Sequence, residues 1–125
     1  MPEFTAGFEL DIQLIEQYAG KFSYKPLSKF PCTTQEISFK ADLNPLLSEV
    51  KATITAVLEQ AKIDHHYDYQ LATHDIYQPE NGKTKHMTFR ITLSHPNKTL
   101  VTAEVSALLD NISNKVKKYN LATRI

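Results

Sequence analysis

Cysteine, glycine and arginine are the scarce residues of this chain, and each scarcity excludes something. The single Cys32 has no partner for an internal disulfide, which suits a reducing compartment. It also excludes a metal-transfer domain, whose loop needs a Cys-x-x-Cys pair. The three glycines, Gly7, Gly20 and Gly82, stand far apart, so no glycine-rich loop can cradle a nucleotide phosphate. No run of about 18 apolar residues occurs, and no membrane-spanning helix is expected. Nor does a basic-then-apolar leader precede a small-residue cleavage site, so the expected location is the cytoplasm. Arginine occurs once before residue 124, as Arg90.

Net charge is missing too, but the zero conceals a split. Residues 1–80 carry six Lys against twelve Asp and Glu, a net −6. Residues 81–125 carry six Lys and two Arg against Glu104 and Asp110 only, a net +6. A basic side can bind phosphate in a neutral protein when the acids lie elsewhere. A well-mixed, solvated surface is the simpler reading of the same charges.

What is present is the composition of one globular domain. Six Phe, six Tyr and abundant aliphatics in 125 residues suffice for one sheet with two or three helices. The clearest pattern is KHMTFRITL, residues 85–93. Met87, Phe89, Ile91 and Leu93 alternate with His86, Thr88, Arg90 and Thr92, as in a strand with one buried and one wet face. A shorter alternation, Glu36 to Lys40, turns Ile37 and Phe39 inward and leaves Glu36, Ser38 and Lys40 outside. Tyr67–Tyr77, rich in Tyr and β-branched residues, reads as a further strand, joined to the first through a loop containing Asn81-Gly82.

Two apolar stripes at helical spacing separate the strands. Leu46, Val50, Ile54, Val57, Leu58 and Ala61 form one, with Asn44 and Pro45 expected as N-cap and first helical residue. Val105, Leu108, Leu109, Ile112 and Val116 form the other, with Thr102 as its expected cap and Asn120 as its stop. Leu121–Ile125 reads as a last strand. The order β-α-β-β-α-β implies an α+β, ferredoxin-like sandwich: a four-stranded antiparallel sheet with two helices on one face and the other face free. That fold hosts many functions and selects none.

Upstream, Phe8, Leu10 and Ile12 alternate and Leu14, Ile15 and Tyr18 match a helix, with no capping residue before Phe8. KFSYKPLSKFP, residues 21–31, reads as an extended linker, since residues before proline avoid the helical region.

The chemistries open to such a fold thin out quickly. Adjacent His65 and His66 would face opposite sides of a strand and could not easily share a metal, so the five histidines read as surface residues. An acylphosphatase-like centre needs an arginine-bearing anion loop after the first strand, where Asp42-Leu43-Asn44-Pro45 stands instead. No Ser-His-Asp or paired-carboxylate spacing appears, and no catalytic residue is expected. The aromatic stacking platform of an RNA-recognition motif is absent from the wet face, because Phe39 and Phe89 fall on the core side. RNA would meet polar groups, Arg90 and one ring from the second strand, Tyr77. A small-ligand regulatory module of the same topology is the alternative.

Taken together, YKPLSKFP (24–31), DIY (75–77), TFRITL (88–93) and the Thr99-Leu100 that closes HPNKTL resemble, in order and spacing, the ferredoxin-fold anticodon-binding domain of phenylalanyl-tRNA synthetases. The resemblance covers about residues 22–125, and GFELD (7–11) is similar to the tail of the synthetase-like module that precedes this domain in the bacterial β subunit. Residues 1–21 would then be that tail and its linker, and the chain a C-terminal part of a longer subunit. The resemblance implies a role in holding the anticodon stem-loop of tRNA(Phe) on the open sheet face. Aminoacylation, with ATP and magnesium, would occur elsewhere in an enzyme that also contains an α subunit, and this part would hold no cofactor. By position, Asp75 would accept from a base edge and Tyr77 would stack, with Arg90, His86, Thr88, Ser38, Glu36 and Lys40 around them. Asp75 pairing with Arg90, or Tyr77 packing the turn, would be the structural alternatives. This chain departs from the family pattern at Gln35-Glu36, where Arg-Asp is frequent, and at His86, where a small Ser is common. Val101 stands where a Thr is usual, and Cys32 replaces a small residue and is expected to be packed.

Overall fold

The alternations and stripes assemble as a computed structural model that describes residues 4–80 and 82–125. Its elements are a short helix α1 (Ile12–Tyr18), strand β1 (Thr33–Asp42), helix α2 (Leu47–His65), strands β2 (Asp68–Tyr77) and β3 (Thr84–Ser94), helix α3 (Thr102–Lys118) and strand β4 (Thr123–Arg124). From β1 onward the order is the expected β-α-β-β-α-β. The strands pair antiparallel in the order β2-β3-β1-β4, a ferredoxin-like α+β arrangement.

Strand parity decides what is buried. Ile37, Phe39 and Ala41 of β1 and Met87, Phe89, Ile91 and Leu93 of β3 all face the helices and are buried. Against them α2 sets Val50, Ile54, Val57, Leu58 and Ala61, and α3 sets Val105, Leu108, Leu109, Ile112 and Val116. Phe39 and Phe89 meet edge to face with ring centroids 6.3 Å apart, a favoured aromatic geometry. Both stripes turn to the same side of the sheet, so neither α2 nor α3 covers the opposite side.

The helix starts differ from those expected. Asn44 and Pro45 do not open α2. Its N-cap is Leu46, whose N–H donates to the Glu49 carboxylate at 2.8 Å. A glutamate inside the first turn thus satisfies an end that lacks a Ser, Thr, Asp or Asn cap, and Leu46 is 60% exposed, off the buried stripe. α3 begins the same way: Val101, not Thr102, is the N-cap, and its N–H donates to Glu104 at 3.3 Å. Asn120 does stop α3. Its left-handed backbone, φ 53°, lets the N–H groups of Asn120 and Leu121 return to the carbonyls of Lys117 and Val116 at 2.9 and 3.3 Å. His66 ends α2 in a left-handed conformation too, φ 57°, so His65 and His66 lie at a helix terminus and not on a strand.

The amino-terminal region also departs from expectation. The alternation of Phe8, Leu10 and Ile12 builds no strand, and α1 has a cap after all, with the Asp11 carboxylate accepting from the Leu14 N–H at 3.1 Å. No residue of α1 is buried. The 21–31 stretch runs without helix or strand, as its prolines require. Ser28 ties it down by donating to the His95 carbonyl at 2.8 Å and accepting from the Phe30 N–H at 3.1 Å. Cys32 is exposed where packing was expected. Asn81 of the Asn-Gly loop lies outside the described residues; Gly82 donates to the Pro79 carbonyl at 3.0 Å. The last strand is shorter than Leu121–Ile125, although Ile125 N–H still reaches the Ser38 carbonyl at 3.0 Å.

Candidate functional site

Direct partners across an antiparallel ladder point to the same face, so register alone maps the side opposite α2 and α3. On β1 and β3 the pairs are Glu36 with Arg90, Ser38 with Thr88, and Lys40 with His86. All six residues expected on the wet face therefore share it. Ser38 and Thr88 hydroxyls hydrogen-bond at 2.8 Å, and Thr34 and Thr92 repeat the contact at 3.1 Å.

Strand β2 reaches this face by an irregularity. Tyr69 pairs with Leu93, Leu71 with Ile91 and Thr73 with Phe89, all on the core side. Unbroken alternation would put Asp75 and Tyr77 on the core side as well. A bulge between Thr73 and Asp75 reverses the phase, so Asp75 pairs with Thr88, Ile76 with Met87 and Tyr77 with His86. Asp75 and Tyr77 thereby join the open face. The residue absorbed by the bulge, His74, turns to the same side and approaches Arg90 Nη2 at 3.3 Å.

The electrostatics of the face are uneven. Arg90 donates through Nε and Nη2 to a single Glu36 oxygen, Oε1, at 3.0 and 2.7 Å, with His74 Nε2 3.5 Å from that oxygen. The hydrogen bond from Arg90 holds the Glu36 carboxyl below the usual carboxylate range, more than the opposing desolvation raises it. Glu36, not Asp75, is thus the partner of Arg90. Among the described residues no hydrogen bond or ion pair engages the Asp75 carboxylate. Tyr77 does not pack the turn. Its side chain is 57% exposed, with its ring centroid 6.2 Å from that of His86 in a T-shaped arrangement.

Sequence reasoning missed His74 and Thr123, the latter opposite Lys40 on the same face. A signal for the bulge was present. Leu71 and Ile76 both lie on the core side, and five positions between them is an odd spacing that strict alternation forbids. A cavity of about 640 Å³ opens between α2 and α3 on the other side of the molecule, lined by Ala56, Val57, Ala61, Asp64, Ala107 and Lys115 among others. It is the gap between two packed helices and holds none of the residues that converge on the sheet. Among the described residues no group of three or more His, Cys, Asp or Glu is placed to hold a metal ion, and no helix is long and apolar enough to cross a membrane.

No family model matches the chain. Individual relatives do. The phenylalanine–tRNA ligase β subunit of Campylobacter jejuni is 32% identical over 117 residues, 93% of this chain and 14% of that protein. Those of Thermotoga maritima and Halalkalibacterium halodurans are each 27% identical, over 121 and 117 residues, or 93% and 90% of this chain. The chain spans about 14% of the length of these curated relatives. Over about 93% of its length it is a relative of one segment of the phenylalanine–tRNA ligase β subunits.

Proposed function

We propose that this chain is the anticodon-binding part of a phenylalanine–tRNA ligase and holds the anticodon stem-loop of tRNA(Phe) on the face of its sheet opposite α2 and α3. The observation that carries the reading is the bulge at His74. It spends one residue of β2 to turn Asp75, a carboxylate without a protein partner among the described residues, and an exposed ring, Tyr77, onto the face opposite α2 and α3. An unpaired carboxylate can accept from the N–H groups of a base edge, and an exposed ring offers a stacking surface indifferent to base identity. Thr88, Ser38, His86 and Lys40 border them with hydroxyl, imidazole and ammonium groups suited to sugar and phosphate. The similarity to ligase β subunits over most of the chain supports the same reading.

The chemistry of joining phenylalanine to tRNA, with ATP and magnesium, is assigned to the remainder of that enzyme, together with contacts to its α subunit, in the cytoplasm. None of its steps is assigned to residues of this chain, whose described part brings no set of metal-ligating side chains together. Residues 1–21 are read as the tail of a preceding module. Support comes from Phe8, Leu10, Ile12 and Tyr18, between 63% and 89% exposed, which the sheet and helices leave without cover.

The test is titration of the chain with a stem-loop RNA carrying the phenylalanine anticodon at increasing salt. Binding that weakens as salt rises is expected, because phosphate contacts release counterions. Binding indifferent to salt would remove phosphate from the account. In the whole ligase, Asp75→Ala and Tyr77→Ala are expected to raise the KM for tRNA, and unchanged tRNA kinetics in both would refute the assignment.

A further inference from the structure

We propose that the RNA strand crosses the sheet along the row Tyr77, His86, Lys40, Thr123 and delivers a backbone phosphate to a cleft between Lys40 and Lys117. The proposal rests on reading the open face as RNA-binding and adds a path and a phosphate subsite to it.

The row is fixed by register. Tyr77 pairs with His86, His86 with Lys40, and Lys40 with Thr123, one residue from each strand of the sheet. Strands lie about 4.8 Å apart, so the row runs roughly 15 Å across the sheet, from the exposed ring at one edge to β4 at the other. The neighbouring rows are poor alternatives for a phosphodiester. In one, Asp75 brings a negative charge, and the hydroxyls of Thr88 and Ser38 bond each other. In the next, Ala72 leads to Arg90 and Glu36, whose charges cancel. Of these three rows, the first leads to a cation, Lys40, with no carboxylate bound to it among the described residues.

At its β4 end the row opens into a cleft of about 360 Å³ lined by Lys40, Asp42, Thr84, Lys117, Asn120 and Thr123, among others. Two lysines and one aspartate are among its lining residues, and among the described residues neither lysine takes part in an ion pair or a side-chain hydrogen bond. Thr84, Thr123 and Asn120, also in the lining, are neutral residue types of the kind that position phosphate oxygens. Lys117 belongs to the last turn of α3 with Lys115 and Lys118. Together they more than offset the partial negative charge of a helix C-terminus. Lys117 comes from the helical layer, so the subsite extends the open face around the sheet edge and is not a repeat of it.

The same stem-loop titration, followed over a range of salt, tests the path. Lys40→Ala and Lys117→Ala are each expected to weaken binding several-fold and to lower the slope of log affinity against log salt by roughly one. Lys117→Arg is expected to restore the slope, while Lys51→Ala, on the outer side of α2, is expected to leave affinity and slope alone. Tyr77→Ala is expected to weaken binding without changing the slope, since a stacked base releases no counterion. Wild-type slopes in both lysine variants, with Tyr77→Ala still weakened, would overturn the path and leave the RNA-binding face standing. Absence of any binding by the unmodified chain would overturn both.

Discussion

At the scale of single residues, the open face divides into groups that are spoken for and groups that are not. Arg90, the natural phosphate ligand by residue type, is committed to Glu36 by two hydrogen bonds on one oxygen. Glu36→Gln is expected to release that guanidinium, so stem-loop binding should tighten and its salt dependence steepen; unchanged binding would mean that Arg90 lies off the RNA path. The pair also links folding to acid. With its folded-state pKa below the ordinary value, Glu36 contributes stability above the unfolded value near 4.5, and loses it as pH falls through the lower folded value. The opposite sign holds at Tyr69, whose hydroxyl donates to Glu59 and joins β2 to α2. Burial first, and that hydrogen bond second, push it up to about 12 from 10.0. Its contribution is complete below the unfolded value and lost as pH rises through about 12. Chemical denaturation between those limits is expected to find wild type losing stability with pH, and Tyr69→Phe losing less. At this scale the sequence was a fair guide to which residues share a face, through period-two alternation. It was a poor guide to partners, because Glu36 and Asp75 are equivalent carboxylates until register puts one opposite Arg90.

At the scale of elements, the bulge in β2 is the feature on which the site depends. Deleting His74 would leave Thr73 opposite Phe89 and Asp75 opposite Thr88 in regular pairing, so Asp75 and Tyr77 would keep the open face and Ile76 the core side. Stem-loop binding is expected to survive both that deletion and His74→Ala, because each keeps Asp75 and Tyr77 in phase with Thr88 and His86. Loss of binding in the deletion alone would contradict a bulge whose role is to hold that phase. Helix starts are the other element-scale surprise. Asn44-Pro45 and Thr102 are strong sequence signals, but Glu49 and Glu104 reach back from inside their helices and set the caps at Leu46 and Val101. Glu49→Ala is expected to cost roughly 0.3–1 kcal/mol in urea unfolding, the scale of a charge at a helix N-terminus. The apolar stripes were legible because burial enforces them. Caps were not, because several nearby side chains can satisfy the same orphan N–H groups. Asn120 was legible because few residues other than glycine take a left-handed backbone readily.

At the scale of the whole molecule, one core holds up one open face. Phe89 is fully buried at the centre of β3 and meets Phe39 edge to face. Phe89→Ala is expected to cost about 3–5 kcal/mol, a large part of the stability of a domain this size. The loss should register as a lowered denaturation midpoint, and a midpoint equal to wild type would place the core elsewhere. Residues 4–27 add nothing to that core, so deleting α1 is expected to leave the midpoint nearly unchanged. The charge asymmetry of the sequence acquires a location only here. Lys40, from the acidic part of the chain, and Lys117, from the basic part, meet at one cleft that linear order could not bring together. The central claim is that the face opposite the core holds an RNA anticodon through Asp75 and Tyr77. The most direct measurement is the affinity of the chain for the phenylalanine anticodon stem-loop beside that of Tyr77→Ala. Loss of one stacked base is worth roughly 1–3 kcal/mol, so a fall of about 5- to 150-fold is expected. Equal affinities of the two proteins for the stem-loop would contradict the claim.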